Sequence, residues 1–257
     1  VIITTGGKAS PNLGSNGSGY ILAQNLGHSL IPPFPALVQL KLKASFLKQL
    51  AGIKVEGTAE ILEEDRSVAM EAGEILFTTY GVSGPPILQI SRAAGESLRK
   101  GKIPYLKLNI IPDISRRDLE AHLERRLEEE QASKTLDFSF VGFINKQLAP
   151  VIIKEAGVSD IRKPAGQVTP QEKKRLLTIL QDWRFEIRDT LPWSQAQVTA
   201  GGLNADEVDP QTMESRLIPS LYFAGEVLDI DGDSGGFNLQ WAWASGFIAG
   251  TSAAEGL

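Results

Sequence analysis

Between Ala36 and Ile111 the chain alternates apolar and polar residues over short stretches at 37–42, 54–61, 67–72, 74–77 and 104–110. A period of two over so few residues predicts half-buried strands, and their close spacing predicts an antiparallel or mixed, barrel-like β domain. Between the fourth and fifth stretches, residues 77–88 (FTTYGVSGPPIL) carry Gly81, Gly84 and two prolines. That composition predicts a shaped loop, followed by a helix to about Arg99.

From Pro112 the period changes to that of helices. Leu119, Leu123 and Leu127 fall on one stripe of a charged helix predicted over 115–131. Further helices are predicted over 138–145 and 146–156, the second stopped by Gly157. Thr169-Pro170-Gln171-Glu172 places an N-cap Thr, a first-turn Pro and a Glu three residues after the cap. It predicts a capping box and a helix to about Asp182. Strand pattern returns at 184–188 and 197–199.

The two ends differ from this middle. Residues 1–5 are β-branched and end at Gly6-Gly7, a short helix is predicted over 20–26, and the three prolines of 30–35 predict a linker. At the other end, residues 221–246 (LYFAGEVLDIDGDSGGFNLQWAWASG) run from a short strand through Gly225 and Glu226 into an acidic, glycine-rich loop, then a helix rich in small residues. The expected organisation is α/β, or α+β overall. Residues 1–35 and 190–257 form one domain, interrupted by a β domain (36–112 and 183–189) and a helical subdomain (113–182).

Composition narrows the chemistry. The chain has 257 residues, net charge −5, 42% hydrophobic and 22% charged residues, and no cysteine. Disulfides, thiolate metal ligands and cysteine nucleophiles are therefore excluded within it. No apolar run nears the ~20 residues that span a bilayer. Acid and base nearly balance over 113–184, so the helical subdomain is expected to be a mixed-sign solvated bundle rather than a basic patch. The chain starts at Val1 inside a strand-like run, and is expected to be a portion of a longer protein.

The run Asp229-Ile-Asp231-Gly-Asp233 fails the EF-hand pattern, with Ser234 and Gln240 where Gly and Glu belong. His28 and His122 lack a third ligand, so surface or capping roles are expected and no metal site is assigned. No Gly-x-Ser-x-Gly elbow occurs. Glu226 is the stronger candidate: a strand-end carboxylate beside glycines can accept hydrogen bonds from hydroxyls, although a capping role explains it equally well. Gly235 and Gly236 allow close approach, Asn238 and Gln240 offer amides, and the following helix directs positive potential at the same place.

Taken in order, VIITTGG, GSNGSGY, LGH, PALVQL, GEILFTTYGVSGPPIL, VTAGGL, TMESR and the segment 221–246 resemble the BaiN/YhiN-like, or aminoacetone-oxidase-type, flavoproteins of the glutathione-reductase-like class. The resemblance spans essentially the whole chain. It implies a Rossmann-like, NAD(P)-binding-like FAD domain interrupted by a barrel and a small helical domain. It further implies a cytoplasmic flavin-dependent oxidoreductase acting on a small organic substrate, with NADH or NADPH as candidate electron donors.

By the same resemblance Thr5, Gly6 and Gly7 form a turn near the FAD adenosine side. Gly225 and Glu226 bind the ribityl or pyrophosphate region. Gly235, Gly236, Phe237, Asn238 and Leu239 face the pyrimidine edge of the isoalloxazine, and the FTTYGVSGP loop faces the substrate side. Three features depart from the family. Thr79 stands where a His is usual, Phe237 replaces a common Tyr, and the N-terminal GxGxxG unit is absent, so the Rossmann-like domain is incomplete and this portion by itself is expected to be flavin-free. No catalytic residue is assigned. Two other classes stay open: an RNA-modifying flavoprotein holding tRNA with the helical subdomain, which requires a basic face, and a non-catalytic interaction module. The balanced charge leads to no expected nucleic-acid partner.

Overall fold

A computed structural model describes residues 1–127 and 134–255, and the chain divides into two compact units. The first comprises 1–39, 91–100 and 189–257; the second comprises 40–90 and 101–188.

The second unit is built on a closed barrel. Its strands are β3 (Leu40–Leu42), β4 (Lys54–Glu63), β5 (Arg66–Phe77), β6 (Gly81–Ser83), β7 (Tyr105–Asn109) and β8 (Trp183–Thr190), in the order β3-β6-β5-β4-β7-β8. The barrel-like domain expected from the period-two pattern is therefore present, with antiparallel pairing from β3 through β6, β5, β4 and β7 to β8. Inward positions are aliphatic or aromatic: Leu40, Ile61, Ile75, Phe77, Leu106 and Leu108 are buried. The ring of Phe46 stacks on Trp183 at 5.5 Å, adding an aromatic cluster to that interior.

Two strand expectations change. The stretches at 67–72 and 74–77 are one strand, because β5 runs through Gly73, which takes φ 146° opposite Gly57 of β4. The loop expected at 77–88 contains β6. Gly81 sits there so close to the Leu40 and Leu42 backbones that any Cβ would collide. Glycine at this position permits strand pairing rather than breaking it.

The helical part contains α4 (Arg116–Leu127), α5 (Leu136–Ser139), α6 (Leu148–Glu155) and α7 (Pro170–Gln181). Leu119, Leu123 and Leu127 of α4 are buried, as the stripe required. The predicted extension of that helix to Gln131 lies outside the described residues. The capping box is formed: Thr169 Oγ1 accepts from the Glu172 N–H at 3.2 Å, and the Thr169 N–H donates to Glu172 Oε2 at 2.8 Å. The helix expected at 138–145 is shorter and earlier: α5 ends at Ser139 with Phe140 as its C-cap, and Gly142 at φ 73° lies in the turn that follows. A short α2 (Leu47–Leu50) was not anticipated.

The first unit carries two small sheets. Parallel β1 (Ile2–Ile3) and β10 (Tyr222–Phe223) form one; antiparallel β2 (Leu30–Ala36) and β9 (Val198–Leu203) form the other. The proline stretch at 30–35 is thus a strand, not a linker. It is tolerated because a two-stranded sheet leaves β2 an open edge for the missing N–H groups, and its register shifts between Ile31 and Phe34, around Pro32 and Pro33. Helix α1 (Ser18–Asn25) and the long α8 (Phe237–Glu255) complete this unit. Tyr20, Ala23, Leu203, Phe223, Val227 and Ala249 lie in one apolar cluster. Helix α3 (Pro85–Arg99) contributes its last residues, from Ser91 on, to this unit. Among the described residues no helix is long and apolar enough to cross a membrane.

Candidate cofactor site

The first unit brings residues from three distant parts of the sequence to one place. At the end of β1, Gly6 takes φ 69° and Gly7 is buried. A Cβ at Gly7 would collide with the Thr199 hydroxyl and the Glu226 carboxylate. Thr199, in β9, is fully buried, and its hydroxyl accepts from the Lys8 and Ala9 N–H groups at 2.8 and 3.0 Å. Its own N–H donates to Glu226 Oε1 at 3.1 Å. The GG turn, Thr199 and Glu226 are therefore one structure. Glycine at position 7 is required for close packing, whereas Thr5 is exposed.

Gly225 takes φ 76°, which only glycine adopts without strain. Its N–H donates to Ser245 Oγ at 2.9 Å and its carbonyl accepts from Trp241 Nε1 at 3.2 Å, so the turn after β10 is fastened to α8. Glu226 follows in a partly buried position. Burial, reinforced by the negative charge of Asp231, pushes its carboxyl above the usual glutamate range against the opposing hydrogen bonds from Thr199.

The acidic loop is organised by ion pairing. Arg92 Nε donates to both carboxylate oxygens of Asp231, at 2.8 and 3.1 Å. Asp229 is raised by burial and by Asp231, with Arg92 and the Gly201 N–H acting the other way. Among the described residues no cluster of His, Asp and Glu could hold a metal ion.

Gly235 and Gly236 take φ 122° and 97°, and no atom lies within 4 Å of where a Cβ at Gly236 would stand. Phe237 and Leu239 are 63% and 60% exposed. Asn238 has a different role from the one its amide suggested. Its Oδ1 accepts from the Gly232 N–H at 2.9 Å and its Nδ2 donates to the Gly232 carbonyl at 2.8 Å. The side chain thus holds the loop in shape, leaving backbone groups at the start of α8 as the donors for a ligand.

These features fit the flavin site that the resemblance implies, on this chain's own geometry. There is a cradle closed to any Cβ at Gly7, a partly buried carboxylate against it at Glu226, and a glycine loop open to approach at Gly236. A further polar atom belongs to the same place. Tyr20 is 3% exposed and its hydroxyl has no hydrogen-bond partner among the described residues, while it lies within electrostatic reach of Glu226 and Asp229. Thr199, Tyr20 and Arg92 were not singled out from the sequence. VTAGGL and GSNGSGY contain the first two, but nothing in their spacing reveals that Thr199 meets Glu226 or that Tyr20 lies within its electrostatic reach.

His28 also differs from expectation. His28 is buried, with Nδ1 3.1 Å from Glu207, Nε2 2.9 Å from Ser215 and its ring edge-on to Phe223. It is a satisfied core residue. His122 accepts from Arg126 Nε at 2.7 Å, and burial together with Arg126 and Arg125 depresses its proton affinity. It lies in a cleft of about 500 Å³ with Arg125, Arg126, Lys134 and Phe138. Near-balanced charge along the helical sequence therefore conceals a local gathering of cations. The acidic Glu128, Glu129 and Glu130 lie outside the described residues.

Comparison with known proteins follows the same lines. The sequence model of one family, described as the HI0933-like protein barrel and H2TH domain, matches residues 34–198. The chain is 38% identical over 257 residues to a 3-dehydro-bile acid delta(4,6)-reductase of Clostridium scindens, covering 99% of this chain and 62% of that protein. It is 33% identical over 250 residues to a ribosomal RNA dihydrouridine synthase of Escherichia coli, covering 95% and 58%. The corresponding protein of Haemophilus influenzae is 31% identical over 254 residues, covering 98% and 59%. The chain spans about six-tenths of the length of these relatives.

Proposed function

This chain belongs to the HI0933-like family, and on that premise we propose that it is part of an FAD-dependent reductase of an activated carbon–carbon double bond. The observation that carries the reading is Glu226, held by the Thr199 N–H against the Gly7 cradle and followed by a glycine loop that leads into α8. The relatives' names support the class of reaction: a delta(4,6)-reductase and a dihydrouridine synthase each imply saturation of a double bond. Bound FAD would supply hydride chemistry. This chain's own residues would bind and orient it, with Glu226 accepting from ligand hydroxyls and the backbone at the start of α8 donating to the ring edge. The electron donor in this reading is NADH or NADPH, and the substrate a small conjugated carbonyl compound.

The test is to purify the whole protein that contains this chain and record its visible spectrum. A stoichiometric flavin spectrum that bleaches with NADH or NADPH and recovers on adding a steroid dienone is the expected result. A colourless protein that takes up no FAD overturns the cofactor. A flavoprotein whose reduced form ignores every enone offered overturns the substrate class.

Structured RNA is the second substrate class, favoured by the cationic cleft at His122, Arg125, Arg126 and Lys134 with the exposed ring of Phe138. Cations beside an accessible aromatic ring suit phosphate and base together. Two relatives carry the name of a ribosomal RNA dihydrouridine synthase. Salt-dependent retention of ribosomal RNA, lost in Arg125→Glu, is the result this reading requires. Equal retention by that variant excludes the cleft.

A further inference from the structure

A tyrosine hydroxyl buried without a partner is uncommon, because leaving it unsatisfied costs the free energy of its lost hydration. Tyr20 is such a case. Its ring is packed in the apolar cluster with Ala224, Val227 and Leu228, the residues that flank Glu226 in sequence. It is 3% exposed, and among the described residues no donor or acceptor meets its hydroxyl. Its backbone is equally constrained. The Tyr20 N–H donates to the Gly17 carbonyl at 3.1 Å, and Gly17, at φ 78°, presses close to the ring. The ring cannot swing out to water without opening the start of α1.

The surroundings specify what could satisfy the hydroxyl. Glu226 and Asp229 lie within electrostatic reach, and both they and burial hold the phenol firmly in its protonated form. It is therefore a fixed neutral donor in a region where the protein's own side chains are carboxylates. Glu226 Oε1 accepts from the Thr199 N–H and Asp229 from the Gly201 N–H, while the charge of Arg92 acts on Asp229 from a distance. An acceptor oxygen brought by a ligand would satisfy it.

We propose that Tyr20 is a cofactor-positioning residue, whose hydroxyl donates to an oxygen of the ribityl or diphosphate chain of FAD when that chain lies beside Glu226. This rests on the flavin reading above. The hydroxyl is a cost to the protein alone and a contact in the complex, so one substitution should move stability and affinity in opposite directions.

The experiment is Tyr20→Phe in the whole protein, with two readouts that need no turnover. In the flavin-free protein the thermal midpoint is expected to stay level or rise by about 2–4 °C. FAD titrated by fluorescence quenching is expected to bind roughly three- to tenfold more weakly. Competition with FMN and with ADP locates the acceptor: a loss shared with FMN places it on the ribityl chain, and one shared with ADP on the diphosphate. Unchanged FAD affinity overturns the inference. So does a lower midpoint in the flavin-free variant, which means that the hydroxyl already has a partner without flavin. Wild-type protein that binds no FAD defeats the flavin reading itself, whereas wild type that binds beside an unaffected variant defeats only the role of Tyr20.

Discussion

The N–H of Thr199 donates to Oε1 of Glu226 at 3.1 Å, across 27 residues of sequence, beside a glycine that leaves no room for a side chain. Three segments that share no local pattern thereby become one half-site. The bond also carries a consequence for stability. Burial and Asp231 hold Glu226 above its usual range, so the folded chain retains a proton that the unfolded chain has released.

Because the folded value is raised, stability from this group is fullest below the ordinary glutamate value and declines as pH rises through the folded one. Glu226→Gln keeps an oxygen for the Thr199 N–H and removes the charge. The flavin-free variant should be more stable than wild type at pH 7, by on the order of 1 kcal/mol, and the two should converge near pH 4. Urea titrations at both pH values check this. FAD affinity should fall in the same variant.

Arg92 forms an ion pair with Asp231 and also lies within electrostatic reach of Asp229 in the same loop. The Asp231 side chain is 6% exposed and that of Arg92 is 47% exposed. Arg92→Met should cost about 1 kcal/mol, since the arginine's exposure limits the pair's worth, yet the remaining carboxylate is poorly solvated. Arg92→Met with Asp231→Asn should recover most of that loss. A double-mutant cycle by chemical denaturation would show a coupling absent from either change alone.

Glu172 serves both the α7 capping box and an ion pair with Lys163 at 2.7 Å. Burial works to raise its carboxyl, but the bonds from Lys163 and Thr169 outweigh that and lower it. A lowered carboxylate contributes stability that is complete above the ordinary glutamate value and lost as pH falls through the folded one. Glu172→Ala should cost about 1–2 kcal/mol at pH 7 and little at pH 2, measured by thermal melts.

Glycines with positive φ are not equivalent. At Gly84 (φ 109°) a Cβ would run into the Glu74 carbonyl, whereas at Gly101 (φ 72°) it would meet nothing. Gly84→Ala should destabilise by roughly 3 kcal/mol or prevent folding, and Gly101→Ala by about 1 kcal/mol. Comparable losses at the two sites would mean that backbone strain outweighs the clash.

Sequence alone determined the elements whose cause is local. The capping box at Thr169 needs four consecutive residues, the leucine stripe of α4 repeats within three turns, and the barrel strands show a period of two. The same locality made the glycine turns at Gly6 and Gly225 legible and marked Glu226 as exceptional. Tertiary structure decided whatever depends on partners far along the chain. Proline-rich 30–35 is a strand only because β9 accepts it at an open edge, and Gly81 pairs with β3 only because it lacks a side chain. Asn238 is consumed by its own loop, His28 is satisfied by Glu207 and Ser215, and the Tyr20 hydroxyl is left without a partner among the described residues. Hydrogen-bond satisfaction and close packing are settled by proximity in space, and no pattern within a window of sequence carries that information.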